Sequence, residues 1–164
     1  MQLQQIAPWI TYKKMELTIK SNTVKSWLNE NGPITRRIIK NHDFSMDVLK
    51  DEFSSTNMEE KNFLGFFEDV SIKVREVILY ADRSPIVFAR SLIPDITIRD
   101  GLKRLGNIGE KPLGDILFEK ELFQRTDMVF GKFQNEKKVF WGRKARYTVN
   151  QKPLSVMEVF LVNE

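Results

Sequence analysis

Apolar residues recur with two different periods along the chain, and the change of period divides it. Between positions 21 and 40 the spacing is helical: Val24, Trp27 and Leu28 fall at i, i+3 and i+4 and share one face. Ser21-Asn22 supplies side-chain oxygens for the first free N–H groups of such a helix. Asn31-Gly32-Pro33 is expected to end it, Gly32 by turning left-handed and Pro33 by lacking the N–H that continues the ladder. Pro33 also suits the first position of a second helix from Ile34 to Lys40, with Ile34 and Ile38 on one stripe. Two short helices joined by a tight turn form a hairpin small enough to move as a flap.

From Asp43 the period falls to two. Phe44, Met46 and Val48 alternate as in a strand, and Ser54-Ser55-Thr56-Asn57 is suited to cap a short helix around Met58–Phe66. Val70, Ile72, Val74, Ile78 and Tyr80 then hold the even positions of a long strand. Asp82-Arg83-Ser84-Pro85 is turn chemistry, with Ile86–Ile93 as the returning strand. The glycine-studded stretch from Asp95 to Phe118 predicts an irregular connection with short helical pieces. Its Gly106-x-x-Gly109 lacks the Gly-Lys-Ser/Thr ending that a phosphate-binding loop requires. Three further β runs, Glu121–Phe133, Val139–Val149 and Pro153–Val162, are separated by Asn135-Glu136 and Asn150-Gln151. Strands that follow strands without helical crossovers predict an antiparallel sheet, and the class is α+β.

Composition narrows the chemistry. The 164 residues, 41% hydrophobic and 29% charged, suit a single domain over 1–164 with a core of its own. Cysteine is absent and histidine occurs once, at His42. That excludes disulfides, thiolate nucleophiles, cysteine-ligated zinc and multi-histidine metal sites, so no resident metal is expected. Lys and Arg total 26 against 22 Asp and Glu, a net +4, but Arg36-Arg37 and Lys137-Lys138 are short runs set among acids. They read as solvated surface rather than a nucleic-acid face. No apolar stretch is long enough to span a membrane, and Met1–Gln5 lacks a signal-peptide pattern, so a cytoplasmic protein is expected.

The informative positions are charges in apolar rows. In the last strand Leu154, Val156, Glu158, Phe160 and Val162 share a face, and the opposite face is also largely apolar. An unpaired buried ion is costly enough that Glu158 must pair or neutralise. Arg75 shares a face with Val77 and Leu79, and Arg90 with Ile86, Phe88 and Leu92. Trp141-Gly142-Arg143-Lys144-Ala145-Arg146 adds guanidiniums beside aromatic residues. Two accounts fit: an Arg–Glu pair holding strands in register, or a sealed pocket in which arginine grips a ligand carboxylate and glutamate meets a hydroxyl.

Several of these stretches resemble the chorismate pyruvate-lyases. They are Arg75–Asp82 with Ala89–Pro94, Lys111-Pro112-Leu113-Gly114 with Leu117-Phe118, Trp141–Arg146, and Lys152-Pro153-Leu154 with Glu158–Leu161, in the family's order. Before Arg75 the likeness rests on Trp27-Leu28 and Ile34-Thr35-Arg36-Arg37. The resemblance implies a single antiparallel sheet with helices on one face and helical flaps over an enclosed site. It implies conversion of chorismate to 4-hydroxybenzoate and pyruvate, without cofactor, at the entry to ubiquinone synthesis. By resemblance Arg75 holds the ring carboxylate and Glu158 contacts the ring hydroxyl, the two catalytic candidates. Ile34 and Leu113 match positions whose backbone touches ligand, and Arg90 is the candidate for the enolpyruvyl end. Position 34 usually carries Met, and the Leu105–Glu110 approach is a few residues longer than usual.

The alternative is a non-catalytic sensor, since effector-binding domains of some transcription regulators resemble this lyase fold. Such domains follow a DNA-binding module, for which the chain leaves little room once the resemblance is laid out. A chorismate mutase would be helical, against the strand-rich half. A monomer without nucleic-acid partner, taking chorismate and releasing 4-hydroxybenzoate, is the expected form.

Overall fold

The computed structural model describes residues 2–119 and 121–163. Two meanders lie side by side in one seven-stranded antiparallel sheet. The first comprises β2 (Phe44–Phe53), β3 (Ile72–Ala81) and β4 (Ser84–Pro94); the second comprises β5 (Phe123–Asn135), β6 (Lys138–Val149) and β7 (Lys152–Phe160). The pairing of β4 with β7 joins them, and a two-residue β1 (Gln4–Gln5) borders β5, giving the order β1-β5-β6-β7-β4-β3-β2. The tight turns carry the expected residues: Asp82 and Arg83 sit at φ 49° and 71°, Asn150 and Gln151 at 47° and 65°. Two consecutive left-handed residues match the twist of the strands they join.

On the front face, the side of Arg75, Val77 and Leu79, lie α1 (Tyr12–Thr18), α2 (Asn22–Leu28), α3 (Ile34–Ile39) and α5 (Leu113–Leu117). One core cluster packs Met15, Ile19, Val24, Leu28, Ile34 and Ile38 onto Val77, Leu79, Phe130, Trp141 and Phe160. A second joins Leu113, Ile116 and Leu117 to Val149, Leu154 and Val156. The connection from β4 contributes a π turn at Thr97–Gly101 and a 3-10 turn at Lys103–Gly106, as its glycine content suggests. α4 (Met58–Leu64) packs alone on the back face, where Leu64 meets Ile72, Val74 and Leu92. No helix among the described residues is long and apolar enough to cross a membrane.

Two local expectations change, and one helix lies where none was expected. Helix α1 was not legible, although Thr11 caps it and Met15 and Ile19 anchor it at i, i+4 spacing. Helix α2 ends at Leu28 with Asn29 at φ −94°, and Gly32 is not left-handed. The reason is that a guanidinium from β6 takes the free carbonyls of Leu28 and Glu30, so no left-handed turn is needed to satisfy them. Pro33 accordingly stands before α3 as its N-cap rather than inside it.

Candidate active site

Strand alternation alone gathers the chemistry on the front face. β3 presents Arg75, Val77 and Leu79, β4 presents Ala89 and Ser91, β7 presents Val156 and Glu158, and β6 presents Arg143 and Tyr147. Ile34 and Thr35 of α3 and Leu113 and Leu117 of α5 close over them, leaving a partly enclosed cavity of ≈ 50 Å³. A hollow of ≈ 1190 Å³ on the back face is far larger but open to solvent and lined by exposed termini and turns such as Gln2, Gln4 and Glu136. The smaller one is the better shielded from solvent, and shielding strengthens every charge inside it.

Arg75 is 2% exposed and donates to Asp51 Oδ2 at 3.1 Å, to Gly109 O at 2.8 Å and to Lys111 O at 2.7 Å. Burial pulls the guanidinium below its ordinary value while Asp51 pulls it back. Of its five N–H groups three are committed, and Nε–H with one Nη2–H makes no hydrogen bond among the described residues. Two such donors are what bidentate carboxylate binding uses.

Glu158 pairs with Arg143, its direct cross-strand partner, at 3.0 Å from Nε to Oε1. Arg143 Nη1 reaches Leu28 O at 3.0 Å and Glu30 O at 2.7 Å, fastening the end of α2 to the sheet. Its Nη2 makes no hydrogen bond among the described residues. Tyr147 lies beside this pair, and burial, then the Glu158 charge, raise its hydroxyl above the ordinary value. Arg75 and Val156 both register with Ser91, and Glu158 is two residues along from Val156. At ~4.8 Å between strands and ~3.4 Å per residue, the backbones of Arg75 and Glu158 stand roughly 12 Å apart. Both side chains line the ≈ 50 Å³ cavity, a volume that fits a few waters, so a ring with a polar group at each end enters only if the covering helices shift.

Of the five residues singled out in the sequence, the cavity brings together Arg75, Glu158, Ile34 and Leu113. Arg90 is a correction: its side chain points to the back face, bonded to Glu60 at 2.7 and 3.1 Å and to Glu76 at 3.0 Å. It is held by carboxylates and shut off from the cavity by the sheet itself. Arg143 and Asp51 were missed as site residues. Arg143 sits in a strand so rich in cations that it is no outlier. Asp51 reaches the front only because a bulge between Val48 and Lys50 adds a residue and reverses the phase of β2. Among the described residues no group of three or more His, Cys, Asp or Glu side chains is placed to hold a metal ion.

Comparison with known proteins shows the family and the fold. A family model described as chorismate lyase matches residues 3–164. The "Probable chorismate pyruvate-lyase" of Photobacterium profundum is 31% identical over 159 residues, covering 94% of this chain and 86% of its own. The protein of the same name from Psychromonas ingrahamii is 32% identical over 161 residues, covering 88% and 85%. Among solved structures, a Staphylococcus aureus gene product superposes with TM-score 0.57 at 13% identity over 80% of this chain and 88% of its own. A GntR-family transcriptional regulator from Enterococcus faecalis gives TM-score 0.52 at 15% identity, covering 75% and 93%. At those identities the structural likeness shows a shared fold alone.

Proposed function

The chain belongs to the chorismate lyase family, and from that premise we propose that it eliminates pyruvate from chorismate to leave 4-hydroxybenzoate, the ring from which ubiquinone synthesis proceeds. The observation that carries the reading is a partly enclosed, mostly apolar cavity with a buried guanidinium at one end and a carboxylate–guanidinium pair at the other.

Chorismate is a cyclohexadiene with a ring carboxylate, a C4 hydroxyl and an enolpyruvyl ether at C3. The C3–O bond breaks and C4 loses its hydrogen, which passes to the enolpyruvyl methylene and makes it the methyl group of pyruvate. The ether oxygen becomes the ketone oxygen, and the ring gains its third double bond. Atoms and electrons balance without an oxidant, and aromatisation drives the step. The transfer closes a six-membered arrangement, so the protein's contribution is to hold the reactive conformer and stabilise charge on the departing oxygen. In this reading the two uncommitted donors of Arg75 grip the ring carboxylate. Glu158 accepts from the C4 hydroxyl, and Arg143 Nη2 faces the enolpyruvyl end, the role Arg90 is turned away from. Leu113 and Ile34 wall the ring, their backbone groups beside it.

The test is chorismate incubated with the purified protein and EDTA, with both products followed by chromatography. Equal amounts of 4-hydroxybenzoate and pyruvate, formed faster than spontaneous decay, are expected. Tight binding of 4-hydroxybenzoate with no turnover would leave the cavity a receptor and end the lyase reading.

A further inference from the structure

Asp51 is a carboxylate beside the very guanidinium that is to hold a carboxylate. Its Oδ2 takes Arg75 Nη1, while its Oδ1 is buried, 3.3 Å from Lys73 Nζ, and accepts no well-aligned hydrogen bond among the described residues. Lys73 spends its own hydrogen bond on Gly106 O at 2.8 Å. The two cations therefore fasten the 106–111 connection to β3 through three carbonyl oxygens, and Asp51 lies between them as their one counter-charge. Arg75 lines the cavity, and with Asp51 and Lys73 packed against it the cluster holds two positive charges and one negative, a net +1.

We propose that Asp51 is a positioning residue acting through Arg75: it weakens the grip on the ring carboxylate so that an anionic aromatic product can leave. This rests on the lyase reading of the site. Hydrogen bonds to Gly109 O and Lys111 O already orient the guanidinium, so orientation alone does not require a charged partner at position 51. The β2 bulge is what delivers this residue: with the register unbroken past Val48, Lys50 would stand opposite Arg75 on the front face and the cluster would hold three cations. A ring carboxylate bound to Arg75 brings the local sum to zero with Asp51 present and leaves it positive without it. Two carboxylates on one guanidinium also repel each other across a few ångströms of poorly screened space.

Asp51→Asn keeps the shape and an acceptor for Arg75 while removing the charge. Binding of 4-hydroxybenzoate and of its neutral counterpart 4-hydroxybenzamide is measured by calorimetry on wild type, Asp51→Asn and Asp51→Glu. The preference for acid over amide is expected to rise at least about fivefold in Asp51→Asn, as loss of a nearby like charge requires, and to return toward wild type in Asp51→Glu. A purely structural role moves both ligands alike. An unchanged acid-to-amide ratio, or one that falls, in a wild type that binds the acid overturns this inference alone. A wild type that neither turns over chorismate nor binds 4-hydroxybenzoate overturns the lyase reading and this inference with it.

Discussion

Arg75 and Glu158 stand out because each interrupts an apolar row, and the structure gives each a reason to be there. Arg75 is clamped by two backbone carbonyls and Asp51, and Glu158 by its cross-strand partner Arg143. If Arg75 anchors substrate, Arg75→Ala should raise KM for chorismate at least about tenfold and lower kcat as well, since a charge-assisted bidentate contact is worth over 1.4 kcal/mol. Glu158→Ala should act mainly on kcat, with KM within a few-fold. Steady-state kinetics separate the two, and unaltered constants in either variant would remove that residue from the mechanism. Arg90 shows the limit of the outlier argument. It interrupts an apolar row as clearly as Arg75 does, yet serves to bind Glu60 and Glu76 on the back face. Alternation assigns residues to faces; it does not say which face is sealed.

At the scale of elements, α4 is bound to the sheet through charge. Burial pushes the Glu60 carboxyl up, but the Arg90 guanidinium and the Asn57 N–H outweigh it and hold it below the ordinary value of 4.5. A depressed carboxyl contributes stability in full above its unfolded value and loses it as pH falls through the lower folded value. Melting temperature should therefore drop on acidification below about pH 4.5, and Glu60→Gln should flatten that limb. An unchanged acid limb in the variant would remove Glu60 as its source. The strand pair β6–β7 makes a different demand. A Cβ at Gly142 would stand 2.8 Å from Glu158 O, a backbone atom that cannot swing away. Gly142→Ala is expected to cost about 1–3 kcal/mol in urea unfolding and to reduce turnover by displacing the strand that carries Glu158. Helix boundaries were legible where a cap decides them, as Ser21 does for α2 and Asn57 for α4. The end of α2 was not, because its carbonyls are satisfied by Arg143, 113 residues or more away.

For the whole molecule, the decisive feature is that the cavity is closed by elements from distant parts of the chain, α3 near the start and α5 in the long connection. Arg143 ties the approach to α3 into the same ion pair that lines the cavity. Binding and release then require these covers to part, and opening is the expected slow step. Mixing the protein with excess chorismate in a stopped-flow instrument should give a burst of 4-hydroxybenzoate approaching one per chain before a slower steady rate. A linear trace from the first turnover would put the slow step at or before the chemistry.

The antiparallel α+β class, the two meanders, the hairpin turns and the standing of Arg75 and Glu158 as charges in apolar rows follow from sequence because their causes are local; that these two and not Arg90 line the cavity does not. Period-two alternation needs only neighbours, turn residues act over four positions, and an ion in an apolar run is costly wherever the run is buried. The bulge that turns Asp51 inward, the covering of Arg90 by Glu60 and the capture of the α2 carbonyls by Arg143 were decided by the tertiary structure. Each depends on which strands are neighbours and which face is covered, and those relations exist only once segments far apart in the chain have packed together.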